Sequence, residues 1–138
     1  MVRSLFGLFR RNSSPKKTPL LVLTRSYESA LEVAEYIDRE GCVPRFLPIN
    51  ELPRAGEIDP LPAGVLILRE LESEEKVKAC AYLREHERYR AIPIAAIMTL
   101  TEGALDLPAD VVMRPPASLR TAIHEIKRTV ESGRVTVQ

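Results

Sequence analysis

A chain of 138 residues, 45% apolar and 28% charged, has the size and composition of one globular domain, since domains usually hold roughly 100–200 residues. It has no Trp and few aromatics to stack on unpaired bases, and its two Cys and two His lack metal-type spacing, which argues against a nucleic-acid binder and against a metal centre. The net charge of +1 conceals an asymmetry, because residues 1–18 hold five basic residues and no acid while the rest holds 15 basic against 19 acidic residues, a net −4.

At the amino end Val2, Leu5, Phe6 and Phe9 fall at i, i+3, i+4 and i+7, with Arg3, Arg10 and Arg11 elsewhere around a helix of that phase. The pattern predicts a basic amphipathic docking tail, either for an anionic membrane surface or for a partner's groove. A tail without function is the plain alternative, since termini are often unordered. Residues 12–18, rich in Ser, Lys and Pro, read as a linker, so the chain divides into a tail and linker at 1–18 and a domain at 19–138.

Leu20, Leu21, Val22 and Leu23 form a short continuous apolar run, the pattern of a strand buried on both faces. Ser26 is placed to cap a helix in which Ala30, Leu31, Ala34 and Ile37 supply the core face, and Gly41 supplies its stop. Residues 43–49 predict a second, weaker strand. Pro48, Pro53, Pro60 and Pro62 then leave room for only a turn or two of helix, because each lacks an N–H donor.

Val65, Leu66, Ile67 and Leu68 predict the third strand, followed by a helix over about 73–89 with Val77, Ala81 and Leu83 available to the core. Residues 92–98 are the longest apolar run, with Pro93 at its start where a missing donor is tolerated. Residues 99–109 allow only a short fourth helix. Val111, Val112 and Met113 give a fifth strand, and Leu119, Ile123, Ile126 and Val130 a final helix that Gly133 is expected to end.

Five short apolar strands alternating with helices predict a (βα)5 doubly wound parallel sheet with shortened second and fourth helices. In such sheets the functional crevice lies at the carboxyl ends of the strands, here Thr24 and Arg25, Arg69 and Glu70, Met98 and Thr99, and Arg114. Cys42 and Cys80 read as small buried apolar groups, and His86 and His124 as solvated positions with no nucleophile beside them. Glu72, Glu74 and Glu75 read as a solvated helix face. No apolar run approaches the roughly 18 residues of a membrane span, so the body is expected in the cytoplasm, with the tail offering peripheral contact on the inner face of the membrane.

Two passages carry a family resemblance: Leu83-Arg84 through Arg90-Ala91-Ile92-Pro93-Ile94-Ala95, and Ala109-Asp110-Val111-Val112-Met113-Arg114-Pro115. They are similar to the approach to strand four and the ending of strand five in the receiver domain of bacterial response regulators, the CheY-like superfamily. The resemblance spans about residues 19–134 and implies the flavodoxin-like strand order 2-1-3-4-5. A working receiver has an acidic pair after strand one that holds Mg²⁺, an Asp after strand three that accepts phosphate, a Thr or Ser after strand four and a Lys after strand five. The matching positions here are Thr24 and Arg25, Arg69, Met98 and Arg114, with only Pro115 kept.

Guanidinium groups are permanent cations without acceptor oxygens, so these positions predict a degenerate receiver that binds no metal, needs no cofactor and is not an enzyme. Arg25, Arg69 and Arg114 then have two readings: a pocket for an anion or nucleotide phosphate, or surface cations that fan outward or pair with Glu28, Glu70 and Asp110. The resemblance implies a phosphorylation-independent protein partner at the face of the fourth-helix region, strand five and the final helix, with Met113, Pro115, Leu119 and Arg120 as its residues. The proline-rich stretch or a homodimer on the final helix are the alternatives.

Overall fold

The computed structural model describes residues 17–99, 102, 107–114 and 119–137, the last six as backbone only. Its first element, β1 (Thr18–Thr24), is buried on both faces from Leu20 onward. The Ser26 side chain accepts from the Ser29 N–H at 3.3 Å and opens α1 (Tyr27–Arg39), and Gly41, at φ 84°, makes the left-handed turn into β2 (Cys42–Pro48). A 3-10 segment (Ile49–Glu57), with Pro53 inside it, stands where the second helix was expected to be short. Then follow β3 (Gly64–Ile67), α2 (Ser73–Glu85), β4 (Ile94–Ile97), β5 (Val111–Met113) and α3 (Leu119–Val137).

All four strand pairings are parallel, and the sheet order is β2-β1-β3-β4-β5. Alternation along the strands divides the core in two. Leu21, Leu23, Val65, Ile67, Ile94 and Ala96 face the 3-10 segment and α2, whereas Leu20, Val22, Leu66, Ala95 and Ile97 face α1 and α3. Every strand of the centre is therefore covered twice, which is why its sequence reads as an unbroken apolar run.

The structure corrects several expectations about the helices. Leu31 does not join the α1 core; it is 77% exposed, and Val33 and Tyr36 pack inward beside Ala30 and Ile37. In α2, Val77 and Ala81 face solvent, and the buried set is Lys76, Ala79, Cys80 and Leu83. That helix ends at Glu85, not Tyr89, since His86 has left helical geometry (ψ 125°). Tyr89 instead returns into the core from a turn, its hydroxyl donating to the Ala55 carbonyl at 2.7 Å. Gly133 does not end α3, which runs to Val137; a helical glycine costs only about 1 kcal/mol, so it permits a stop without imposing one. The expected fourth helix falls mainly on 100, 101 and 103–106, outside the described residues.

Candidate functional site

The strand registers bring the expected crevice together. Leu23 pairs with Ile67, Ile67 with Ala96, and Ile97 with Met113. Continued by one or two residues, these pairings align Thr24 at the end of β1 and Arg25 after it with Leu68 and Arg69 after β3, and Met98 after β4 with Arg114 after β5. Thr24 is fully buried, its hydroxyl donating to the Ser26 carbonyl at 3.0 Å. Met98 is buried too, and its N–H donates to the Met113 carbonyl at 2.8 Å.

Arg25 makes the densest set of contacts across this crevice. Its backbone N–H donates to Glu70 Oε2 at 2.9 Å, and its Nη2 donates to the Glu70 carbonyl at 2.8 Å and to Glu72 Oε2 at 3.4 Å. Glu75 Oε1 lies 3.6 Å from the same nitrogen. The two glutamates sit there because they open α2: Glu72 is its N-cap, and Glu75 accepts from the Glu72 N–H at 2.8 Å in a capping box. They cap the helix and meet Arg25 while Glu72 and Glu74 stay exposed on the solvated face that was expected.

Arg69 and Arg114 are exposed and have no ion-pair partner among the described residues. Neither of the other expected partners meets a strand-end arginine there. Asp110 is held by Arg84 at 2.6 Å, and Glu28 has no ion-pair partner among the described residues. Of the expected partner face, Met113 and Leu119 are half-buried, Arg120 is exposed, and Pro115 lies outside the described residues, as do all seven tail residues from Val2 to Arg11. His124 is exposed beside Glu40, at 3.0 Å. His86, expected in solvent, is half-buried between Tyr82 and Tyr89, and its Nδ1 accepts from the Arg88 N–H at 3.2 Å.

A second charged cluster beside the crevice was not legible as such. Lys76 is fully buried, and its Nζ donates to Glu102 Oε1 at 2.6 Å. Ser73 Oγ donates to Glu102 Oε2 at 2.6 Å, and the Thr99 N–H donates to Oε1 at 2.7 Å. Burial alone would raise the Glu102 pKa, but the hydrogen bonds from Lys76, Ser73 and Thr99 outweigh it and hold it at about 2. The pair ties the first turn of α2 to the segment after β4. Its sequence signal was the phase of residues 76, 79, 80 and 83, which puts a lysine on the apolar stripe.

Mg²⁺ takes hard oxygen ligands in near-octahedral geometry. The positions that match the acidic pair offer it a buried hydroxyl already donating and a guanidinium, and the carboxylates beside them, Glu70, Glu72 and Glu75, are engaged by Arg25 and by the cap of α2. This donor set does not fit the metal. Among the described residues no three His, Cys, Asp or Glu side chains converge as a metal site.

Parallel order 2-1-3-4-5 with a strand-end crevice defines a doubly wound α/β domain of the receiver type. Solved structures bear this out. The receiver domain of a signal transduction histidine kinase from Syntrophus aciditrophicus superimposes with a TM-score of 0.67 at 16% identity, covering 83% of this chain and 91% of that one. The N-terminal domain of a response regulator/sensory box/GGDEF three-domain protein from Carboxydothermus hydrogenoformans gives 0.66 at 16%, covering 88% and 100%. The receiver domain of the sensor histidine kinase PA1611 from Pseudomonas aeruginosa, solved with magnesium coordinated in its active site cleft, gives 0.63 at 15%, covering 83% and 98%. No family model and no curated protein matches the sequence. The chain has the CheY-like receiver fold.

Proposed function

We propose that this chain is a protein-binding module of bacterial two-component signalling that works without phosphorylation and catalyses no reaction. The observation that carries this reading is Arg25. Its half-exposed guanidinium bridges the end of β1 to the Glu70 carbonyl, Glu72 and Glu75, so a side-chain cation stands where phosphoryl transfer would need a divalent metal. A covalently held cation cannot be loaded or released, so the crevice carries no metal-dependent switch. The partner docks at the edge of β5 and the start of α3, where Val112 and Arg120 are exposed beside half-buried Met113 and Leu119. The tail supplies a second contact, to a partner or to an anionic membrane from the cytoplasmic side, and α3 is the surface for a homodimer if one forms.

Incubation with a small-molecule phosphodonor and Mg²⁺, read by intact mass, tests the central point. The expected result is no mass gain under conditions that phosphorylate a receiver with its acidic pair intact. A phosphoryl adduct on Glu70 would overturn the proposal.

An anion sensor is the second reading, favoured by the exposure of Arg69 and Arg114 without ion-pair partners among the described residues. It is the weaker of the two because Arg25, its third cation, is already satisfied by glutamates. Titration calorimetry with phosphate-bearing ligands separates them: saturable heat abolished by Arg69→Ala supports the sensor, and silence supports the module.

A further inference from the structure

The exposed face of α1 combines two features that rarely share a surface. Leu31 is 77% exposed and Tyr27 54%, and they stand one turn apart on one stripe. At about 100° per residue, Glu28, Glu32, Glu35 and Asp38 fall within the same half of the helix, with Arg39 the only basic side chain among them. Glu35 pairs with Arg39 at 3.2 Å, whereas Glu28 and Glu32 have no ion-pair partner among the described residues. The Tyr27/Leu31 stripe is therefore flanked on one side by Glu35, Glu28 and Glu32, and Asp38 stands on the stripe itself in the last turn.

The chain itself carries the complement. Residues 1–16 contain Val2, Leu5, Phe6 and Phe9 at helical spacing, four basic residues and no acid. They also begin in the right place, because Lys17, the residue that follows them, pairs through Nζ with Asp38 Oδ1 at 2.6 Å in the last turn of α1. The thirteen residues of α1 span roughly 20 Å, and sixteen residues reach about 24 Å at helical rise and more than twice that when extended. The segment can therefore run back along the whole helix from Asp38 to Tyr27. Being attached, it meets the face at an effective concentration in the millimolar range, so a modest contact suffices to hold it.

We propose that residues 1–16 dock in cis on the exposed face of α1, with their apolar residues over Leu31 and Tyr27 and their arginines toward Glu28 and Glu32. Docking covers the same apolar side chains that the tail would present to a membrane or partner, so the two engagements exclude each other. This inference does not depend on the phosphorylation reading.

The test uses the full chain with Ser4→Cys carrying a nitroxide; Cys42 and Cys80 are buried, so residue 4 takes the label. Amide signals of residues 27–35 are expected to lose intensity to the spin label, and to regain it in a Leu31→Ser/Glu32→Lys variant whose other amide shifts are unchanged. Both substituted positions are exposed, so the domain keeps its fold. Broadening centred on β5 and α3, no localised broadening, or broadening that survives the double substitution would overturn the proposal. So would broadening that appears between labelled unenriched chains and unlabelled ¹⁵N chains when mixed, since the contact would then be with a second copy.

Discussion

Gly64 lies at the start of β3, where α3 crosses the sheet. A methyl group added there would stand 2.5 Å from Ile126 Cγ2 and 3.2 Å from Leu20 Cδ2. Ile126 is buried in the middle of the α1/α3 side of the core and cannot swing into solvent. Gly64→Ala is expected to destabilise the domain by about 1–3 kcal/mol through overpacking, read as a lower urea midpoint with an unchanged m-value. Arg84 is decisive in another way. Its guanidinium donates to the carbonyls of Pro108, Arg90 and Ile92 and to Asp110, tying the end of α2 to the start of β4 and the approach to β5. In the sequence Arg84 stood within a passage that carries the family resemblance and not as a tie between elements, because backbone carbonyls as partners leave no trace in side-chain patterning.

The elements were legible to different degrees, and the difference has a physical cause. The strands were placed within a residue or two because a strand covered on both faces must be apolar at consecutive positions, as 20–23 and 65–68 are. Helix faces were harder, since one lysine on the apolar stripe shifts the apparent phase. Val77 and Ala81 read as core candidates because they are the apolar side chains there, whereas the buried position is Lys76, whose pairing with Glu102 makes its burial tolerable. The strand-end crevice was legible in its positions and not in its contacts, since the glutamates that meet Arg25 are 45 to 50 residues away in sequence. Because Lys76 has Glu102 as its ion-pair partner, removing one charge is worse than removing both. Glu102→Gln is expected to cost about 3 kcal/mol, and Lys76→Met/Glu102→Gln to be more stable than Glu102→Gln alone by about 1–3 kcal/mol. Chemical denaturation of the two variants checks the order, and a double variant weaker than the single would show that the ammonium is not held by this carboxylate.

The stability of the whole domain should carry the signature of that carboxyl group in acid. Glu102 has a pKa of about 2 in the folded chain against 4.5 for an ordinary glutamate. Between those values the unfolded chain binds a proton that the folded chain does not, so the folded state loses ground as pH falls. The contribution is present above pH 4.5, shrinks as pH drops toward 2 and is gone below it, and is on the order of 3 kcal/mol. Urea midpoints measured from pH 6 down to about 2 should fall in this window, and the fall should be shallower in Glu102→Gln, which has no carboxyl group to titrate there. Glu125 is also held below its usual pKa, by a hydrogen bond from Arg128, but on an exposed surface of α3 where salt screens it. Raising the ionic strength therefore removes the Glu125 part and leaves the Glu102 part. If wild type and Glu102→Gln lose stability in parallel through the window at high salt, the buried pair does not govern the acid limb, and the link between α2 and the segment after β4 is weaker than its geometry implies.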